Sequence, residues 1–147
     1  MKTLLIFSLS LMLMISAEIQ EQIYEKGTFE VQLSNLQIQK GGKVYIAVYD
    51  KEENFMTEKR LKGLMVEVDG KNTKLNVNID GLPNGEYVLT AFHDTNGNGK
   101  MDFDAYGRPL EAWATSGVIN PYGPPTWENA KIHLKDDRMN INLDFKN

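Results

Sequence analysis

Apolar and polar positions alternate with a period of two along much of this chain, and that period predicts β-strands. Over residues 28–36, Phe29, Val31 and Leu33 alternate with Glu30, Gln32 and Ser34. Over 74–79, Leu75, Val77 and Ile79 alternate with Lys74, Asn76 and Asn78. Over 139–145, Met139, Ile141, Leu143 and Phe145 alternate with Asn140, Asn142 and Asp144. Strands of this kind give one face to a core and the other to water. Two segments differ: KVYIAVY over 43–49 and EYVLTAFH over 86–93 are apolar on both faces. That suits central strands covered on each side. Shorter strands are predicted at 64–68 and 131–134. Gly41-Gly42, Asp69-Gly70, the GLPNG stretch from Gly81 to Gly85, and Asp136-Asp137 supply turns between them. The charged segment 50–62 reads as a loop or short helix, pinned down by Phe55 and Met56. No long stretch has a helical period.

Seven short strands predict an all-β fold, a single antiparallel seven-stranded β-sandwich spanning 28–147. A small barrel is the competing architecture. The predicted core is Phe29, Val31, Val44, Ile46, Val48, Leu75, Val77, Tyr87, Leu89, Ile141 and Leu143. From Asp94 to Asn129 the rhythm breaks, with no convincing strand. This stretch holds every proline but Pro83, and both tryptophans, Trp113 and Trp127. Long structureless connections in compact domains are uncommon, and so many aromatic residues argue for an ordered loop.

Composition adds a compartment. The apolar run LLIFSLSLMLMI from Leu4 to Ile15 follows Lys2. It is too short to span a bilayer and suits a signal peptide over 1–17, cleaved after the small pair Ser16-Ala17. Residues 18–27 then form a polar N-terminal arm, and no transmembrane segment is expected after cleavage. The destination is outside the cytoplasm: periplasm, cell surface or medium. The chain of 147 residues has no Cys, so disulfides and a lipid-anchored Cys are excluded. Its net charge is −4, and no cluster of Lys or Arg offers a nucleic-acid patch.

The candidate chemistry lies in HDTNGNGKMDFD, from His93 to Asp104. Calcium takes six to eight oxygens, and a tight loop supplies them when oxygen-bearing side chains recur on one side of it. Asp94, Asn96 and Asn98 recur at every second position. Gly99 falls sixth, where a calcium loop turns sharply. The Lys100 carbonyl falls seventh and Asp102 ninth. This matches the first half of the EF-hand pattern. The twelfth position is Ala105, so the bidentate Glu is missing, and a strand rather than a helix leads in. The pattern therefore predicts a calcium loop at the exit of a β-strand, with Asp104, or Glu111 from further along, as the remaining ligand. The plainer reading is a turn without metal, since Asn96-Gly97 and Asn98-Gly99 are strong hairpin dipeptides. Three aspartates in one confined turn would then repel one another.

The segment GLPNGEYVLTAFHDTNGNGKMD, with KVYIAVYD upstream and YGPPTWENAKIHL downstream, resembles the exported bacterial family called domain of unknown function 2141. The likeness runs from about Phe29 to Phe145 and is most specific at Phe92-His93-Asp94, Asn96, Asn98, Gly99 and Asp102. The Gly81–Tyr87 turn is similar to those of prealbumin-like sandwiches. The resemblance implies a small exported β-sandwich and supplies no activity.

Other constellations are weaker. A hydrolase would have to use His93 with Asp94 or Glu111, but no nucleophile–base–orienter set is visible. Ser116 lies in ATSGV, which is not a nucleophile elbow. His133 reads as a surface strand residue, and His93 as a residue orienting a metal-binding carboxylate from behind. Tyr106, Trp113, Tyr122 and Trp127 either stack on a ligand such as carbohydrate or an envelope protein, or pack as a mini-core beneath the long loop. The sequence thus predicts an exported, non-catalytic, calcium-stabilised binding module at the cell envelope. The alternatives are the hydrolase and a purely structural domain without metal.

Overall fold

The alternating segments pair into eight strands. These are β1 (Lys26–Ser34), β2 (Lys43–Tyr49), β3 (Lys62–Glu67), β4 (Leu75–Pro83), β5 (Gly85–Asp94), β6 (Trp113–Thr115), β7 (Ile132–Leu134) and β8 (Arg138–Asp144). One four-residue helix, α1 (Trp127–Ala130), precedes β7. The computed structural model describes residues 26–72, 74–118 and 123–146. The expected signal peptide at 1–17, most of the expected arm and Tyr122 lie outside the described residues. Among the described residues no helix is long and apolar enough to cross a membrane.

Two sheets share one core. The first has the order β4-β1-β8; the second has the order β3-β2-β5-β6, with β7 also pairing β5. Phe29, Val31 and Leu33 of β1, Ile79 of β4 and Ile141 and Leu143 of β8 meet Val44, Ile46, Val48, Leu89 and Ala114 of the second sheet in a single cluster. Full burial of each large side chain contributes about 1.5–3 kcal/mol. Phe29 sets its ring edge-on to Tyr87, with 5.6 Å between centroids, tying the sheets together. The predicted core residues are buried, except Leu75 and Val77, which are half-buried against it on the edge strand β4.

The all-β expectation stands; three details of it are corrected. Among the described residues the strands number eight rather than seven, because Trp113–Thr115 adds to the free side of β5. Such a short segment has too few positions to show a period, and its pairing alone makes it a strand. The sheets are not purely antiparallel: β1 and β8 run parallel, with Val31 opposite Ile141. Residues 135–137 carry the chain directly from β7 in one sheet to β8 in the other, and the Thr28 N–H donates to the Asp137 carbonyl at 2.9 Å where it arrives. Finally, Met56 is 60% exposed and pins nothing. Phe55 alone does so, edge-on to Tyr49 and Trp127.

Candidate functional site

β5 carries the chain into the loop. Its side chains alternate, so His93 follows Tyr87, Leu89 and Ala91 toward the core, and Asp94 points the other way. The Asp94 carboxylate is fully buried. One of its oxygens accepts the Gly97 N–H at 2.6 Å and the other the Gly99 N–H at 2.8 Å. Gly97 and Gly99 have φ of 78° and 73°, a left-handed conformation that side chains resist. Both N–H groups can therefore turn back on the same carboxylate. Asn96 Oδ1 accepts the Asn98 N–H at 3.0 Å, and Asn98 Oδ1 accepts the Lys100 N–H at 2.8 Å. The two side-chain NH₂ groups converge on Asp102 Oδ2, from Asn96 at 2.7 Å and Asn98 at 2.8 Å.

Glu111 comes into this loop from the far side. It lies two residues before β6, and the pairing of β6 with β5 brings it beneath the turn. Its oxygens accept the Thr95 N–H at 3.3 Å and the Asp102 N–H at 3.4 Å. The residue is 8% exposed. Burial pushes its pKa above the ordinary glutamate value; the two N–H groups oppose that, and the charges of Asp94 and Asp102 add to it. No ion pair among the described residues reaches Asp94, Asp102 or Glu111. Nor do any three His, Asp or Glu side chains among the described residues stand in chelating arrangement. The carboxylates are held by N–H groups instead.

Asp104 is committed elsewhere. It accepts the backbone N–H groups of Tyr106 at 2.8 Å and Arg108 at 2.9 Å, and pairs with the Arg108 guanidinium at 2.7 Å. Those bonds hold its carboxyl below the usual range. Of the two residues expected to supply the remaining ligand, Glu111 is thus the one the fold places among the loop's donors.

His93 does not orient a carboxylate. It is fully buried, its Nε2 bonds the Gly41 carbonyl at 2.7 Å, and its Nδ1 has no partner among the described residues. Neighbouring side chains on a strand take opposite faces, so His93 and Asp94 point apart, and Glu111 accepts from Thr95 and Asp102 while His93 Nε2 bonds Gly41. Ser116 is buried too, bridging the Leu89 N–H at 2.9 Å and the Ala130 carbonyl at 2.7 Å. His133 is exposed on β7, as expected.

The aromatic candidates separate. Trp127 is buried with Tyr49, Val88 and Ala130 in a second cluster on the outer face of the five-stranded sheet. Tyr106 is 86% exposed, with the Arg108 guanidinium 5.5 Å from its ring centroid. Trp113 is half-buried and lines a cleft of about 1080 Å³ on that same outer face. Its neighbours there, Tyr45 and Phe92, are stacked at 5.2 Å and were not among the expected binding aromatics. The signal for them was the double-sided apolar pattern of 43–49 and 86–93. The loop also walls this cleft, through Gly99, Met101, Phe103 and Pro109. A Cβ on Gly99 would lie 3.8 Å from the Tyr45 hydroxyl, so loop and platform are in contact distance.

Two sheets around one core, with an acidic, asparagine-rich loop leaving a central strand, define a small all-β domain. The chain belongs to the bacterial family described as "Uncharacterized protein conserved in bacteria (DUF2141)", whose sequence model matches residues 31–142. That span runs from β1 into β8 and includes the whole loop. No curated protein and no solved structure matches the chain.

Proposed function

We propose that this protein is an exported, non-catalytic binding module at the cell envelope, a prealbumin-like sandwich whose long loop is organised by calcium. One observation carries the reading: two buried carboxylates, Asp94 and Glu111, and the half-buried Asp102 gather at one loop without a cationic partner among the described residues. Like charges held close together, two of them withdrawn from water, favour a cation. All the donors present are oxygens, the choice of a hard divalent ion. The ion would be held by Asp94, Asn96, Asn98, the Lys100 carbonyl, Asp102 and Glu111. The amides of Asn96 and Asn98, which now donate to Asp102, would turn their oxygens inward.

Affinity is expected in the range of extracellular modules, on the order of 10⁻⁴–10⁻³ M, because two side-chain ligands are neutral amides. Magnesium binds worse, since an adaptable loop does not enforce an octahedron. Calorimetric titration of the purified protein with calcium, beside its melting temperature with and without millimolar calcium, tests the reading. Binding with a raised melting temperature supports it. No heat of binding and an unchanged melting temperature leave the Asn-Gly pairs as a turn only. Export is tested separately by mass spectrometry: the mature protein should begin at Glu18.

A further inference from the structure

The cleft is built by strand register. Met65 of β3 lies opposite Tyr45 of β2, Tyr45 opposite Phe92 of β5, and Phe92 opposite Trp113 of β6. One row of large side chains thus crosses four strands, a reach of about 14 Å at ordinary strand spacing. The next row, two residues along each strand, is Gly63, Ala47, Thr90 and Thr115. These side chains are small, so a trough runs beside the aromatic row. Its other bank includes Tyr49, which on its far side packs in the second cluster with Phe55 and Trp127.

The charges of this cleft are one-sided. In a chain of net charge −4, no Asp, Glu, Asn or Gln among the described residues lines it; the charged residues among its described lining are Arg60 and Arg108. Arg108 is already paired with Asp104 at 2.7 Å. Arg60 has no ion pair among the described residues. Its guanidinium stem lies flat across Gly63: a Cβ there would meet Arg60 Nε at 2.6 Å. The backbone at Gly63 does not have a positive φ, so what the glycine supplies there is room for the arginine. A cation without an ion pair among the described residues is thereby laid along the end of an apolar trough.

From this we infer that the cleft binds a single-tailed anionic amphiphile, its apolar tail along the trough against Tyr45, Phe92 and Trp113 and its carboxylate on Arg60. The inference takes the binding-module reading as given and names its ligand class. Apolar pockets with a few placed polar groups are the usual form of small-molecule sites. A guanidinium matches a carboxylate in shape as well as charge. Sugars fit less well, because the described lining of the cleft offers their hydroxyl groups no carboxylate or side-chain amide.

The test is calorimetry of the purified protein with decanoate, decan-1-ol and decyltrimethylammonium at micromolar concentration, with calcium and with EDTA. Decanoate should bind about tenfold or more tightly than the alcohol, the worth of a charge-assisted hydrogen bond, and the cationic tail should bind worst. Arg60→Gln is a change at an exposed residue. It should bring decanoate down to the level of the alcohol and leave the alcohol unchanged. Ala47→Phe, with its melting temperature checked, should fill the trough and remove binding of all three. The inference is overturned if decanoate does not bind, if it binds no better than the alcohol, if Arg60→Gln leaves it unaffected, or if maltohexaose binds in its place. Equal decanoate binding in calcium and EDTA leaves the inference standing and counts against calcium ordering the loop wall. A calcium heat without decanoate binding in either condition does the reverse.

Discussion

The outward faces of the two sheets are made from the same strand geometry and share almost no chemistry. The three-stranded sheet turns Gln32, Asn76, Asn78, Asn140 and Asn142 outward, all exposed. The five-stranded sheet turns out Tyr45, Phe92 and Trp113, all half-buried, with Met65 at the edge. The first face has nothing to lose to water and was legible from strict alternation. The second must be covered, and the protein covers it in two ways. Trp127, Ala130 and Phe55 close one part as a second small core. The long loop stands over the other part and leaves a cleft. A strand apolar on both sides therefore marks where this domain has a second apolar surface to cover.

The sharpest test of that contrast compares neighbours on β5. Leu89→Ala empties a fully buried site in the main core and should lower stability by about 2–5 kcal/mol in denaturant unfolding. Calcium is expected to rank next. At a hundredfold excess over its dissociation constant it should add about 2.7 kcal/mol by mass action. Asp94→Ala should abolish that gain in a thermal melt, whereas Thr95→Ala should keep it. Phe92→Ala loses a half-buried ring and its stack with Tyr45, a loss of about 1–2 kcal/mol. If Phe92→Ala proves as damaging as Leu89→Ala, the outer face is a second core and not a binding surface.

A pH series sharpens the loop's part. Without calcium, burial raises the folded pKa of Glu111 above its ordinary 4.5, so the folded state binds more protons than the unfolded one between those two values. Stability should fall as pH rises through that window and stay lowered above it. Glu111→Gln should remove this fall in melts recorded in EDTA. Asp104 behaves oppositely: its lowered pKa gives stability that is present above its ordinary 3.8 and lost as pH drops through the folded value. The smallest effect belongs to the polar face. Arg138 and Glu30 pair at 2.9 Å in solvent, and Arg138→Gln should change stability by less than about 1 kcal/mol.

What could be seen in the residues alone was whatever depends on near neighbours. Period-two alternation assigned Phe29, Val31, Ile141 and Leu143 to one buried face, because successive side chains on a strand must point oppositely. The spacing of Asp94, Asn96, Asn98 and Gly99 marked the loop, because a tight turn brings alternate residues to one side. What the tertiary structure decided depended on partners distant along the chain. β6 is a strand only because β5 has an open edge beside it. Alternation is the same for either direction of pairing, so the parallel union of β1 with β8 had no signature. Glu111 reaches the loop through a pairing register that no local spacing reports. The row from Met65 through Tyr45 and Phe92 to Trp113 exists only once four strands are set side by side, since register between strands is fixed by packing across the sheet and not along the chain.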